Sequence, residues 1–176
     1  MTGRVLVVDD NQANLRLIEA KLSQEYYTTF LASSGKEALE KVKEVHPDII
    51  LLDVMMPEMD GFEVCQYLQS DASTAHIPVV MVTALSEQED RVQGLKAGAT
   101  DFITKPIDEV HLYARVKSLV RIKLLTDELR MRDKTGAQFG ISSNEILTTK
   151  NHRGAILLVD DDAVQTKKIT QMLTQD

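Results

Sequence analysis

The chain has 176 residues, 43% hydrophobic and 27% charged, with a formal net charge of −7 at pH 7. That much apolar material can fill a core, which excludes extended disorder, and the acidic balance argues against a broad nucleic-acid or anionic-membrane surface. The single cysteine, Cys65, excludes an intrachain disulfide and a cysteine-based zinc site and fits a reducing compartment. No apolar run reaches the length of a membrane span, and the N-terminus enters Val5–Val8 without a signal-like hydrophobic region.

Short apolar runs alternate with helical patterns. Val5–Val8 predicts a first strand, followed by a helix over Ala13–Ser23 with Leu15, Ile18 and Leu22 three and four apart. Thr28–Ala32 predicts a strand before a helix over Lys36–Val45. Ile49–Leu52 precedes Gly61–Ser70, and Val79–Val82 precedes Glu87–Ala97. Asp101–Thr104 is the fifth strand, before a helix that starts near Asp108. Several of these strand runs are almost wholly apolar, as strands covered on both faces should be. Five strands alternating with five helices predict an α/β fold, a doubly wound parallel sheet with right-handed crossovers.

The last helix is long. Leu112, Val116 and Leu119 can face the sheet, while Ile122, Leu125 and Leu129 continue the stripe beyond what one small domain uses. From Glu109 to Arg132 it would measure about 36 Å at ~1.5 Å per residue. An exposed Ile/Leu stripe is costly without a partner, so the extension reads as a connector or dimer stalk. Asp133–Arg153, with Gly136, Gly140 and Ser142–Asn144, reads as a linker. The chain then repeats itself: GRVLVVDDNQANLRLIEAKLSQE from Gly3 aligns with GAILLVDDDAVQTKKITQMLTQD from Gly154. The predicted organisation is a domain over 1–122, a helical extension and linker over 123–153, and the first strand and helix of a second, truncated copy over 154–176. One strand and one helix cannot bury their own apolar faces, which predicts a longer parent protein.

In open parallel sheets, sites form beyond the carboxyl ends of the strands. Asp9 and Asp10 follow the first strand, Asp53 the third, Thr83 the fourth, and Lys105-Pro106 the fifth. Three carboxylates in one cleft repel one another, and a hard divalent cation removes the conflict. Mg²⁺ favours oxygen ligands and retained waters. Asp10 and Asp53 suit direct ligation, Asp9 a water-mediated contact, and the main-chain carbonyl of Met55 a third protein oxygen. A flexible ammonium at Lys105 can pair first with a carboxylate and then with a phosphoryl group, and the Thr83 hydroxyl can bond the same group. Lys105-Pro106 is a candidate cis peptide. Phe102 sits in the fifth strand beside this rim, where a movable aromatic would fit. Asp10 or Asn11 could alternatively cap a helix, and Asp60-Gly61 reads as a turn before one. The four histidines show no metal-ligand spacing, and Cys65 reads as core filler.

With VLVVDDN, DIILLDVMMPEMDGFEV, PVVMVTA and GATDFITKPI in place, the chain over about Gly3–Arg121 resembles the bacterial response-regulator receiver (CheY-like) family. The resemblance implies strand order 2-1-3-4-5 and a phosphoacceptor at Asp53. It implies Mg²⁺ held by Asp9, Asp10, Asp53 and the Met55 carbonyl, Thr83 and Lys105 on the phosphoryl oxygens, and Phe102 as switch aromatic. It also implies a cytoplasmic bacterial protein, a sensor histidine kinase or phosphotransfer protein as partner, and a homodimer once phosphorylated. LLDVMMPEMDGFEVC, TKPIDEVHLYARVKSL and LLTDELR resemble more narrowly the N-terminal part of PleD-type regulators, the alternative being another tandem-receiver regulator with a different output. In those, a receiver, a connector and a second receiver-like domain precede a GGDEF diguanylate cyclase; no GGDEF sequence occurs in these residues. Such a receiver catalyses only its own phosphorylation and dephosphorylation.

Three other functions compete. A haloacid-dehalogenase-type phosphohydrolase would need DxDxT after the first strand, where Asp9-Asp10-Asn11 stands. A phosphorylation-independent interaction module would have no use for the complete acidic rim. DNA binding would need an appended helix-turn-helix, and the basic residues of the last helix are interleaved with apolar ones.

Overall fold

The computed structural model describes residues 3–84 and 88–138. The chain divides into two compact units, Met1–Lys134 and Thr135–Asp176. The predicted second copy over 154–176, and the linker beyond Gln138, lie outside the described residues.

Five strands and five helices alternate: β1 Arg4–Val8, α1 Gln12–Gln24, β2 Thr28–Ala32, α2 Gly35–Val45, β3 Ile49–Asp53, α3 Gly61–Ser70, β4 Val79–Thr83, α4 Gln88–Lys96, β5 Asp101–Thr104 and α5 Glu109–Gln138. All pairings are parallel, in the order β2-β1-β3-β4-β5. The apolar runs of β1, β3 and β4 follow from burial on both faces. Leu6, Val8, Ile50, Leu52, Val79 and Met81 join one core cluster with Ala38, Val42, Val64 and Leu68 of α2 and α3. The alternate residues Val5, Val7, Ile49, Leu51, Val80 and Val82 join the other, with Leu15, Ile18 and Leu22 of α1 and Leu112, Val116 and Val120 of α5.

Short polar side chains start the helices. Asn11, rather than Asp10, caps α1, its side chain accepting from the Ala13 amide at 2.9 Å. Ser34 caps α2. Asp60 and Glu63 form a reciprocal capping box at α3. The end of α1 is less well matched. The Tyr26 amide donates to the Ser23 carbonyl and the Tyr27 amide to the Leu22 carbonyl, which places Tyr26 at φ 62°, a left-handed position that favours glycine. The residue is 82% exposed, so burial of the ring offsets little of this. Tyr26→Gly is therefore expected to stabilise the domain by about 0.5–1 kcal/mol, read as a higher Tm. An unchanged or lower Tm would show that the tyrosine ring contributes in a way its exposure does not suggest.

Helix α5 continues six residues past the expected Arg132, because one glycine, Gly136, costs a helix only about 1 kcal/mol. Leu112, Val116 and Val120, four apart, form the fully buried row, and Leu119 is only half-buried beside it. Beyond the sheet, Ile122, Leu125 and Leu129 are more than half exposed, so the apolar stripe does outrun the domain. Among the described residues no helix is long and apolar enough to cross a membrane.

Candidate functional site

The carboxyl ends of β1, β3, β4 and β5 bring the acidic residues together. Ligand oxygens of Asp9, Asp10 and Asp53 all lie within 4.8 Å of one another. Asp9 and Asp53 are buried and Asp10 is exposed, so the cluster has a covered floor and an open lip. Asp53 and Thr83 are the last residues of β3 and β4, one position earlier relative to the strand ends than expected. Strand pairing therefore fixes their backbones.

Lys105 ties the floor together. Its Nζ stands 2.9 Å from Asp9 Oδ2 and 3.0 Å from Asp53 Oδ1. The chain is held there by the Lys105 amide, which donates to the Thr83 carbonyl at 2.8 Å, and the following Lys105–Pro106 bond is cis. Asp53 is only 4% exposed. Burial raises its pKa, helped by the charge of Asp9, while Lys105 and the Met55 amide oppose the rise without cancelling it. Burial pulls the Lys105 ammonium down, but its hydrogen bonds to Asp9 and Asp53 outweigh that, and its pKa is raised. One mobile cation thus serves two anions, an arrangement that still leaves excess negative charge and suits a further cation at the lip.

Asp9 has little capacity left for a metal. Besides Lys105, its carboxylate accepts from the Asn11 amide at 2.9 Å and from Asn14 Nδ2 at 3.0 Å on both oxygens. This fits an outer, water-mediated contact for Asp9 and direct ligation by Asp10 and Asp53. The donor set is oxygen only, which fits Mg²⁺ and not a soft metal. The Met55 amide faces Asp53, and the Met55 side chain is 63% exposed. Thr83 is buried at the same rim. Phe102 is half-buried, packed against the core on the α3 side of the sheet.

Sequence reading missed two supports. Asn14 gave only the signal of an amide in the first turn after the acidic pair. Gly61 looked like a plain turn, yet a Cβ there would stand 2.3 Å from the Asp53 carbonyl oxygen and 2.8 Å from Val54 Cα. The Gly61 amide also donates to the Val54 carbonyl at 2.9 Å, so α3 begins pressed against the backbone that presents Asp53. Cys65 is buried core, its thiol pushed up to about 11 by desolvation, and is not a nucleophile.

The parallel sheet, its order and the acidic rim with its lysine define a class, and the family model described as the response regulator receiver domain matches residues 5–117. The chain belongs to the response-regulator receiver family. Over 173 residues, 98% of this chain and 38% of the relative, it is 51% identical to Response regulator PleD of Caulobacter vibrioides. Over 118 residues, 67% of this chain and 49% of the relative, it is 42% identical to the DNA-binding dual master transcriptional regulator RpaA of Synechocystis sp.. The chain therefore spans less than half the length of either relative. Among solved structures, the chemotaxis response regulator CheY4 of Vibrio cholerae superposes with a TM-score of 0.64 at 28% identity, covering 68% of this chain and 99% of that one.

Proposed function

We propose that this receiver accepts a phosphoryl group on Asp53 from a histidine kinase or phosphotransfer protein in the bacterial cytoplasm, and that the modified domain controls dimerisation and an output elsewhere in the parent protein. The observation that carries the reading is Lys105 bridging Asp9 and Asp53 at the rim where Asp10 completes an all-oxygen cluster. An Asp53 carboxylate oxygen attacks phosphorus, the P–N bond of the donor phosphohistidine breaks, and the imidazole leaves with its electron pair and takes a proton. The developing charge falls on the equatorial phosphoryl oxygens. Lys105, on a flexible stem and already beside Asp53, swings to those oxygens, and Thr83 donates its hydroxyl to one of them. Asp10, Asp53 and the Met55 carbonyl, with Asp9 beside them, would hold Mg²⁺, which would supply charge neutralisation at the same oxygens when bound. Water later cleaves the acyl phosphate in the same cleft.

The phosphoryl group adds about −1.5 to −2 charges and three acceptor oxygens. Thr83 moves toward it and Phe102 repacks, shifting the population of α4, β5 and α5. The long α5 then carries the change onward. Likeness to PleD over nearly the whole chain, not just the receiver, supports a second receiver-like domain and a diguanylate cyclase as output. Likeness to RpaA supports a DNA-binding output instead, but extends over 118 residues only. Conversion of GTP to cyclic di-GMP by the full-length protein separates the two. Sedimentation with and without beryllofluoride tests dimerisation, and an unchanged mass would refute it.

The reading is tested with acetyl phosphate and Mg²⁺. The expected result is a single base-labile phosphoryl group per chain, mapped to Asp53 and lost when EDTA is present from the start. No uptake, or uptake on another residue, would overturn it.

A further inference from the structure

Gly94 lies inside α4, two residues before its end, where a glycine costs about 1 kcal/mol relative to alanine. Among the described glycines only Gly98 has positive φ, so no left-handed backbone calls for glycine at 94. What the missing Cβ permits is contact. A Cβ at 94 would stand 2.6 Å from both Cε1 and Cζ of Phe102 and 3.4 Å from Cε1 of Phe62. The outer edge of the Phe102 ring therefore rests on bare α4 backbone, with Phe62 beside it. Phe62 follows Gly61, the residue pressed against the Asp53 carbonyl. Phe102 pairs in register with Met81, two positions before the Thr83–Thr104 pair. Two rings thus meet at Gly94, Phe102 from β5 and Phe62 from the start of α3 next to the acceptor loop.

We propose that Gly94 is a positioning residue for Phe102: the bare helix backbone at 94 is the seat that holds the aromatic under α4 and couples its position to that helix. The proposal rests on the reading of Phe102 as the aromatic that repacks on phosphorylation. A methyl at 94 fills the seat. The ring is the far end of a side chain with two torsions, and it yields before the backbone does, leaving for the solvent side. Chemistry at Asp53 is untouched, since the atoms nearest a Cβ at 94 belong to Phe102 and Phe62 and not to the acidic cluster, but its message to α4 is lost.

The test uses the full chain with 4-fluorophenylalanine at its four phenylalanines, the Phe102 resonance being assigned through Phe102→Leu. In the wild type that resonance shifts when Mg²⁺ and beryllofluoride are added. In Gly94→Ala it starts at a solvent-exposed position and does not move, although the bound-fluoride signals show that beryllofluoride still binds. A stability cycle gives a second measurement. Gly94→Ala should lower Tm by several degrees when Phe102 is present. It should raise Tm in a Phe102→Ala background, where only the better helix propensity of alanine acts. A Gly94→Ala resonance that matches the wild type in both states, or a Tm change of the same sign and size in both backgrounds, would overturn the proposal. A wild-type resonance that ignores bound beryllofluoride would instead refute the switch reading of Phe102, leaving the cycle to decide on the seat.

Discussion

Asp53→Asn is expected to take up no phosphoryl group from acetyl phosphate, while its Tm stays within a few degrees of the wild type. An amide is not a nucleophile toward phosphorus, so the covalent step is lost outright. The fold should survive because the amide oxygen can still accept from the Met55 amide and from Lys105, and Lys105 keeps its 2.9 Å partner Asp9. Loss of the buried charge also removes the repulsion between Asp53 and Asp9, which offsets part of the lost ion pair. Intact mass after incubation, with thermal melting alongside, checks both halves. Equal uptake by the variant would move the acceptor to another carboxylate, Asp10 being the exposed candidate. A collapsed Tm would mean that the carboxylate is structural first.

Gly61→Ala is expected to have the largest effect on stability, about 2–3 kcal/mol or more, although it adds a single methyl group. The atoms it would meet, the Asp53 carbonyl oxygen at 2.3 Å and Val54 Cα at 2.8 Å, are backbone, and no side-chain rotation relieves the contact. Either α3 lifts from the β3 end or the loop bearing Asp53 moves. In both cases the amide–carbonyl bond from Gly61 to Val54 lengthens and the acidic cluster loosens. The variant should therefore also accept phosphate more slowly than the wild type when both are folded. Gly35→Ala is the milder comparison, because its Cβ would meet side chains and no backbone: Val64 at 2.7 Å, which is stiff and buried, and the flexible Met59 at 3.0 Å. A Gly61→Ala melting temperature equal to the wild type would show that the α3 start is softer than its contacts imply.

Much of this domain was legible in the sequence because its physics is local. Strands covered on both faces must be apolar throughout, so Val5–Val8, Ile49–Leu52 and Val79–Val82 announced the sheet, and residues at their ends announced the rim. The site itself became legible only through the strands: Asp9, Asp53 and Lys105 are far apart in the chain, and parallel pairing brings the Lys105 ammonium within 3.0 Å of both carboxylates. What stayed hidden depends on close approach. The fit of Gly61 against Asp53, the contact of Gly94 with the Phe102 ring and the double hydrogen bond from Asn14 to Asp9 leave no periodic trace. The depth of Asp53 was hidden too; it lies beneath the rim with Lys105 against it. Tyr26 shows the converse, a left-handed turn where the residue type gives no hint of one.

The measurement that bears most directly on the account is a calorimetric titration of the chain with Mg²⁺ at neutral pH, beside Asp10→Ala. Three carboxylates converging on one cation predict a single ion per chain, with affinity reduced about 10–100-fold when the exposed ligand Asp10 is removed. Undetectable binding into the tens of millimolar, or equal affinity in the two proteins, would contradict it.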